Sequence, residues 1–180
     1  AKTPPMHESV EQRFRGVAPA VDFWSLRLVE ERNEEIAVRR GVVLPPQTSL
    51  DAGVMVTVAD RGGIGYAATC DLTATGLRRA AEQAVEWAHR TAHQSLLDPA
   101  QLGAPAPQGE FETPVRVAWD ALPLRAKIDL LRQQSERLKP DGRIVDWGAS
   151  LWYTEVDTAF WSSAGGRVRQ RFRTLVPGLS

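Results

Sequence analysis

Val54, Val56 and Val58 stand at alternate positions; the chain then turns through Asp60-Arg61-Gly62-Gly63 and returns as Ile64–Thr69. A period of two places the valines on one face of a strand. So short a connection joins only antiparallel neighbours. The same alternation at Trp24, Leu26 and Leu28 predicts another strand, and Ile36 and Val38 begin a further one that stops at Arg40-Gly41. Val42–Leu44 runs into Pro45-Pro46, which cannot occupy a central strand. Strand signals return at Ile144–Tyr153, Val156–Ser162 and Arg167–Val176, the last after the turn Ser163-Ala164-Gly165-Gly166. Strands this closely spaced describe antiparallel meanders.

Three helices punctuate them. Val10 and Phe14, four apart within Glu8–Gly16, predict a short amphipathic helix. Thr73 is the N-cap of a second, whose stripe Leu77, Ala81, Ala84, Ala88 and Ala92 is mostly small and suits close approach to a sheet. Pro123 opens a third in its first turn, with Leu124, Ile128, Leu131, Ser135 and Leu138 on one face, and Pro140-Asp141-Gly142 ends it. Gly62-Gly63 is read as the source of positive φ in the hairpin. The proline-rich stretch Ser95–Pro114 reads as a linker, followed by a short strand at Val115–Ala118. Shifting the chain by 125 positions lays Ser25-Leu26 on Ser150-Leu151, Glu30 on Glu155, Gly41 on Gly166 and Val43 on Val168. The expected fold is α+β: antiparallel meanders with packed helices, arranged as two duplicated helix-plus-meander subdomains over about 8–94 and 115–180, joined by about 95–114.

Charge and cysteine usage exclude several function classes. Twenty-two basic residues balance twenty-two acidic ones, so no global field draws the chain to nucleic acid or an anionic membrane. No apolar run reaches the roughly 18 residues of a membrane span, and the opening AKTPPMHESV lacks a signal-peptide core. A single cysteine, Cys70, cannot close an internal disulfide, which fits a reducing, cytoplasmic compartment.

Isolated pieces of catalytic chemistry fail on spacing. His7-Glu8 begins a zinc-peptidase motif, but Glu11 and Gln12 stand where the second histidine would be. It reads as a solvated dyad. His89 and His93 have metal-compatible spacing on one helix face, yet no nearby third ligand completes a site; they suit the negative end of a helix dipole. Arg61-Gly62-Gly63-Ile64-Gly65 lies between strands, whereas a phosphate loop needs a helix N-terminus after its glycines. Cys70 has no helical basic partner in sequence and reads as a buried small hydrophobe. The six tryptophans, Trp24, Trp87, Trp119, Trp147, Trp152 and Trp161, divide between core and partner surfaces. Arg167, Arg169, Arg171 and Arg173 share one strand face, a possible contact face for an anion, a peptide carboxylate or an acidic domain, or else a solvated face guarding against aggregation. A three-residue loop, Ser163–Gly165, would set Arg171 opposite Asp157 and Arg173 opposite Glu155; a two-residue loop would not. The charge-paired register is expected.

The element order resembles the N-terminal domain of the TldD/PmbA family, also called modulators of DNA gyrase. SLRLVEERNEEIAVRRGVV is similar to its first strand pair, and GVMVTVADRGGIGYAATCDLTATGLRRAAEQAVEWA to the hairpin and helix that follow. LPLRAKIDLLRQQSERLK resembles its second helix and DWGASLWYTEVDTAFWSSAGGRVRQ its late hairpin. The resemblance implies a longer parent whose C-terminal domain, absent here, holds zinc through a His-Glu-x-x-x-His motif and a downstream cysteine. Its glutamate would activate zinc-bound water against a peptide carbonyl. This chain would then supply no catalytic, cofactor-binding or metal residue. It would contribute to the channel for unfolded or modified peptides and to homo- or hetero-dimerisation with a TldD/PmbA-type subunit. The alternative is a non-catalytic PmbA-type partner or regulatory module. Nucleic-acid binding has little support, because the arginine face is the one basic cluster.

Overall fold

The structure, a computed structural model, describes residues 6–92, 94 and 104–180. Its elements are α1 (Met6–Arg15), β1 (Phe23–Arg39), β2 (Val42–Val43), β3 (Gln47–Asp60), β4 (Gly63–Thr69), α2 (Ala74–Thr91), β5 (Gln108–Glu112), a 3-10 turn at Trp119–Ala121, α3 (Leu124–Arg137), β6 (Gly148–Ser162) and β7 (Arg167–Leu179). The strands follow the order β4-β3-β1-β6-β7-β5, with β2 beside β1. The fold is α+β, as the sequence predicts. Two compact units gather separate stretches of chain: Ala1–Glu30, Ala52–Phe111 and Asp157–Gln170 form one, and Glu31–Asp51, Glu112–Val156 and Arg171–Ser180 the other.

In the first unit α1 and α2 bury Val10, Phe14, Leu77, Ala81, Ala84 and Ala88 against Trp24, Leu26, Leu28, Val54, Val56, Val58 and Trp161. Hydrophobic burial on this scale is the main stabilising term. The small-residue stripe of α2 brings the helix onto β4. A methyl group built on Gly65 would lie 2.1 Å from the Ala84 carbonyl oxygen, and one on Gly63 1.9 Å from that of Ala88. Gly63 is therefore glycine for want of space, which corrects its reading as a turn residue. The turn belongs to Arg61 and Gly62, at φ 53° and 77°, with Asp60 paired to Gly63. The same two-residue turn recurs at Arg40-Gly41, also at φ 53° and 77°, between paired Arg39 and Val42. Thr73 caps α2 as expected, its Oγ1 accepting from Gly76 N at 3.2 Å.

In the second unit α3 packs Leu131 against Ile36, Val38, Ala149 and Leu151. Its inward face is more polar than predicted: Lys127 and Ser135 are buried, while Leu124 is exposed. Expected breaks in the strands close up as well. Residues 23–39 form one strand rather than two, as do residues 148–162. The polar run Glu31–Glu35 stays extended because its side chains find partners, Asn33 with Thr154 and Arg32 with Asp120. The expected strand at Val115–Ala118 does not form. β5 lies earlier, inside the stretch read as linker, whose residues 95–103 fall outside the described residues.

At the 125-residue offset the burial patterns of β1 and β6 agree at some positions and not at others, buried Val38 corresponding to exposed Ser163. Trp24 and Ala149, Leu26 and Leu151, Leu28 and Tyr153, and Ile36 and Trp161 are buried at corresponding positions, while Arg27 and Trp152 are both exposed.

Candidate functional site

The strand β7 carries the four arginines, and the loop before it is the three-residue form. Ser162 N donates to Gly166 O at 3.1 Å, with Gly165 at φ 92° between them. This is the loop length the charge-paired register needs. At the other end of the hairpin Gly148 and Ser180 exchange backbone bonds of 2.7 and 3.0 Å.

In the first unit Arg169 grips both carboxylate oxygens of Asp157, at 3.2 and 2.8 Å, and Arg167 lies 3.3 Å from Glu11. Beside them is a cavity of about 270 Å³ lined by His7, Glu8, Gln108, Glu110, Trp161, Arg167 and Arg169. His7 is partly buried there, which corrects its reading as a solvated residue. Burial, and then the positive charge of Arg169, lower its pKa, so the ring is held toward its neutral form.

In the second unit Arg173 Nε donates to Glu155 at 2.7 Å, in the expected pairing, and its Nη2 lies 2.6 Å from Glu112. Glu155 also accepts from the Tyr153 hydroxyl at 3.0 Å. Burial and then the Glu155 bond push the Tyr153 pKa up to about 12. The Tyr153 ring stacks on Trp119 at 4.9 Å between centroids. Trp119 Nε1 donates to Glu34 at 2.7 Å, and the Lys127 ammonium lies 3.4 Å from the Trp119 ring centroid and 3.7 Å from Glu34. Lys127 is only 5% exposed, so the carboxylate and the aromatic face replace its lost hydration. Nothing in the helical periodicity singled out Lys127. The available signal was a lysine four before Leu131 on the inward face.

Arg171 is engaged as well. Intramolecular carboxylates thus hold Arg167, Arg169 and Arg173, and an outside anion would have to displace them. His89 Nε2 sits 2.7 Å from Asp60 Oδ2, whose pKa is lowered chiefly by that bond; His93 lies outside the described residues. Cys70 is exposed, a correction to its buried reading: it follows the last paired residue of β4, where Asp71 N turns back to Thr69 Oγ1 at 3.0 Å. Trp24 and Trp161 are core residues, whereas Trp87 and Trp152 are 46% and 55% exposed. Among the described residues no three His, Cys, Asp or Glu side chains converge as metal ligands would. No described helix is long and apolar enough to cross a membrane.

Residues 24–88, which run from β1 through α2, match the family model described as PmbA/TldA metallopeptidase domain 1. Over that stretch the chain is similar to the first domain of the PmbA/TldD family. Solved structures that share its fold include the following three. A protein named as a modulator of DNA gyrase from Thermotoga maritima matches with TM-score 0.70 and 14% identity, over 96% of this chain and 42% of that one. A second so named, from Bacteroides thetaiotaomicron, gives 0.63 and 16%, over 97% and 39%. TldE from Thermococcus kodakarensis gives 0.65 and 15%, over 97% and 38%. The chain therefore spans about two-fifths of the length of these structures. No curated protein matches the sequence.

Proposed function

We propose that the chain is the first domain of a zinc metallopeptidase that cleaves unfolded or modified peptides. In this reading it helps form the peptide channel and the dimer, while the zinc chemistry resides in the rest of the parent. The match of residues 24–88 to a metallopeptidase first domain carries the reading. The polar groups of this chain support a scaffold role: His89 is spent on Asp60, and Glu34, Glu155 and Asp157 are spent on cations or indole. Zinc-loaded parent protein, alone and mixed with a TldD/PmbA-type partner, is to be incubated with carboxymethylated casein. Cleavage that a chelator abolishes, and that disappears on deleting these 180 residues, is the expected result. No cleavage under either condition overturns it; cleavage only in the mixture, with the zinc bound by the partner, assigns the non-catalytic role instead.

A further inference from the structure

β4 is the terminal strand of the sheet, and its outer edge is only partly closed. The two-residue turn makes Asp60 and Gly63 a hydrogen-bonded pair, so Gly63, Gly65 and Ala67 bond toward β3. The N–H and C=O groups of Ile64, Tyr66 and Ala68 then point outward. At Ile64 a single side chain satisfies both: its N–H donates to Thr91 Oγ1 at 3.0 Å, and the Thr91 hydroxyl donates to its C=O at 2.7 Å. Among the described residues nothing does the same for Tyr66 and Ala68.

The helix beside this edge supplies a shelf. Trp87 stands four residues before Thr91, on the same side of α2, and is 46% exposed. Its Cβ would lie 2.8 Å from a methyl built on Gly65, so it borders the strand at the open groups. The Arg90 guanidinium, paired to Glu86, lies 5.3 Å from the Trp87 ring centroid. On the opposite face Tyr66 is 68% exposed. Gly63–Thr69 contains no charged residue and no proline, the usual means of keeping another strand off an edge.

We propose that the outer edge of β4 beside α2 takes an extended, uncharged polypeptide strand. Its main chain bonds to Tyr66 and Ala68, its helix-side residues pack on Trp87, and its alternate residues pack on Tyr66. The absence of charge along β4 selects uncharged side chains, and the Thr91 hydroxyl ends the docking track at Ile64. The proposal goes beyond the peptidase reading and needs neither zinc nor hydrolysis, so the two fail separately.

The test uses the whole 180-residue chain and a blocked hexapeptide of alternating valine and threonine. Addition of peptide is expected to slow amide hydrogen exchange at Tyr66 and Ala68 and to shift the Trp87 emission. Ala68→Pro removes an outward N–H while sparing the ladder to β3, and is expected to weaken binding at least about tenfold with native circular dichroism. Trp87→Ala, which leaves the edge intact, is expected to weaken it by a similar factor and serves alone if the proline variant fails to fold. No slowing up to about 5 mM peptide, or undiminished binding by folded variants, overturns the proposal. So does slowing that grows with protein concentration without peptide, which assigns the edge to a second copy of the chain.

Discussion

At single residues, two glycines three positions apart show what sequence can and cannot disclose. Gly62 and Gly65 look alike in Arg61-Gly62-Gly63-Ile64-Gly65. Gly62 sits at φ 77° with nothing within 4 Å of a built methyl, whereas Gly65 has ordinary φ and no room. Gly62→Ala is expected to cost about 1 kcal/mol, the penalty of a left-handed alanine. Gly65→Ala must push the α2 backbone away and is expected to cost about 2–3 kcal/mol. Urea midpoints at constant slope measure both; equal losses would refute the distinction. The turn was legible because positive φ leaves a compositional mark. The close approach was not, because it depends on where α2 lands. Lys127 was hidden for the same reason: only the fold brings Glu34 and Trp119 to it. Removing one partner of a buried pair strands the other, so Glu34→Gln is expected to cost about 3 kcal/mol. Lys127→Met, which substitutes apolar packing for charge, is expected to cost less than about 1.5 kcal/mol by the same unfolding measurement. The reverse order would mean that the cation itself is the stabilising element.

Among the elements, strands and helices with one apolar face were readable, since alternation and helical spacing report burial directly. α1, β4 and α2 lie where the pattern puts them, and the Thr73 cap forms. What misled was polarity in mid-strand. Glu31–Glu35 looked like an interruption, yet Arg32 pairs with Asp120 of the 3-10 turn, Glu34 with Lys127 of α3 and Asn33 with Thr154 of β6, so extended backbone costs little. β5 was hidden among prolines because it has no buried face at all. Edges carry their own devices, and Thr91 is one: its hydroxyl serves both main-chain groups of Ile64. Thr91→Val keeps the shape and removes the hydroxyl. It is expected to lower stability by about 1 kcal/mol and to speed aggregation on heating, followed by light scattering. An unchanged aggregation rate would mean that the helix body, not the hydroxyl, shields the edge.

Across the whole molecule each unit is stabilised internally by its own means. Among the described residues the apolar core of the first joins sixteen buried residues from both its helices and the sheet, whereas that of the second joins five. The second unit adds the ladder from Lys127 through Glu34, Trp119 and Tyr153 to Glu155 and Arg173. Its stability should consequently respond to pH in a direction the ladder fixes. Tyr153 keeps its proton up to about 12 in the fold, whereas a free tyrosine loses it near pH 10. Between those values the unfolded chain binds fewer protons than the folded one, so stability falls as pH rises. The contribution is fully present below about pH 10 and lost through about 12, a swing of about 2–3 kcal/mol for the buried ring. Tyr153→Phe retains the stack on Trp119 and removes the titration. Its unfolding free energy should therefore decline less steeply than wild type from pH 9 to 12 in denaturant titrations, since the remaining alkaline groups are common to both. Parallel profiles would show that the Tyr153–Glu155 bond does not hold the proton, and would leave the stacked rings as the only contribution of Tyr153 to the ladder.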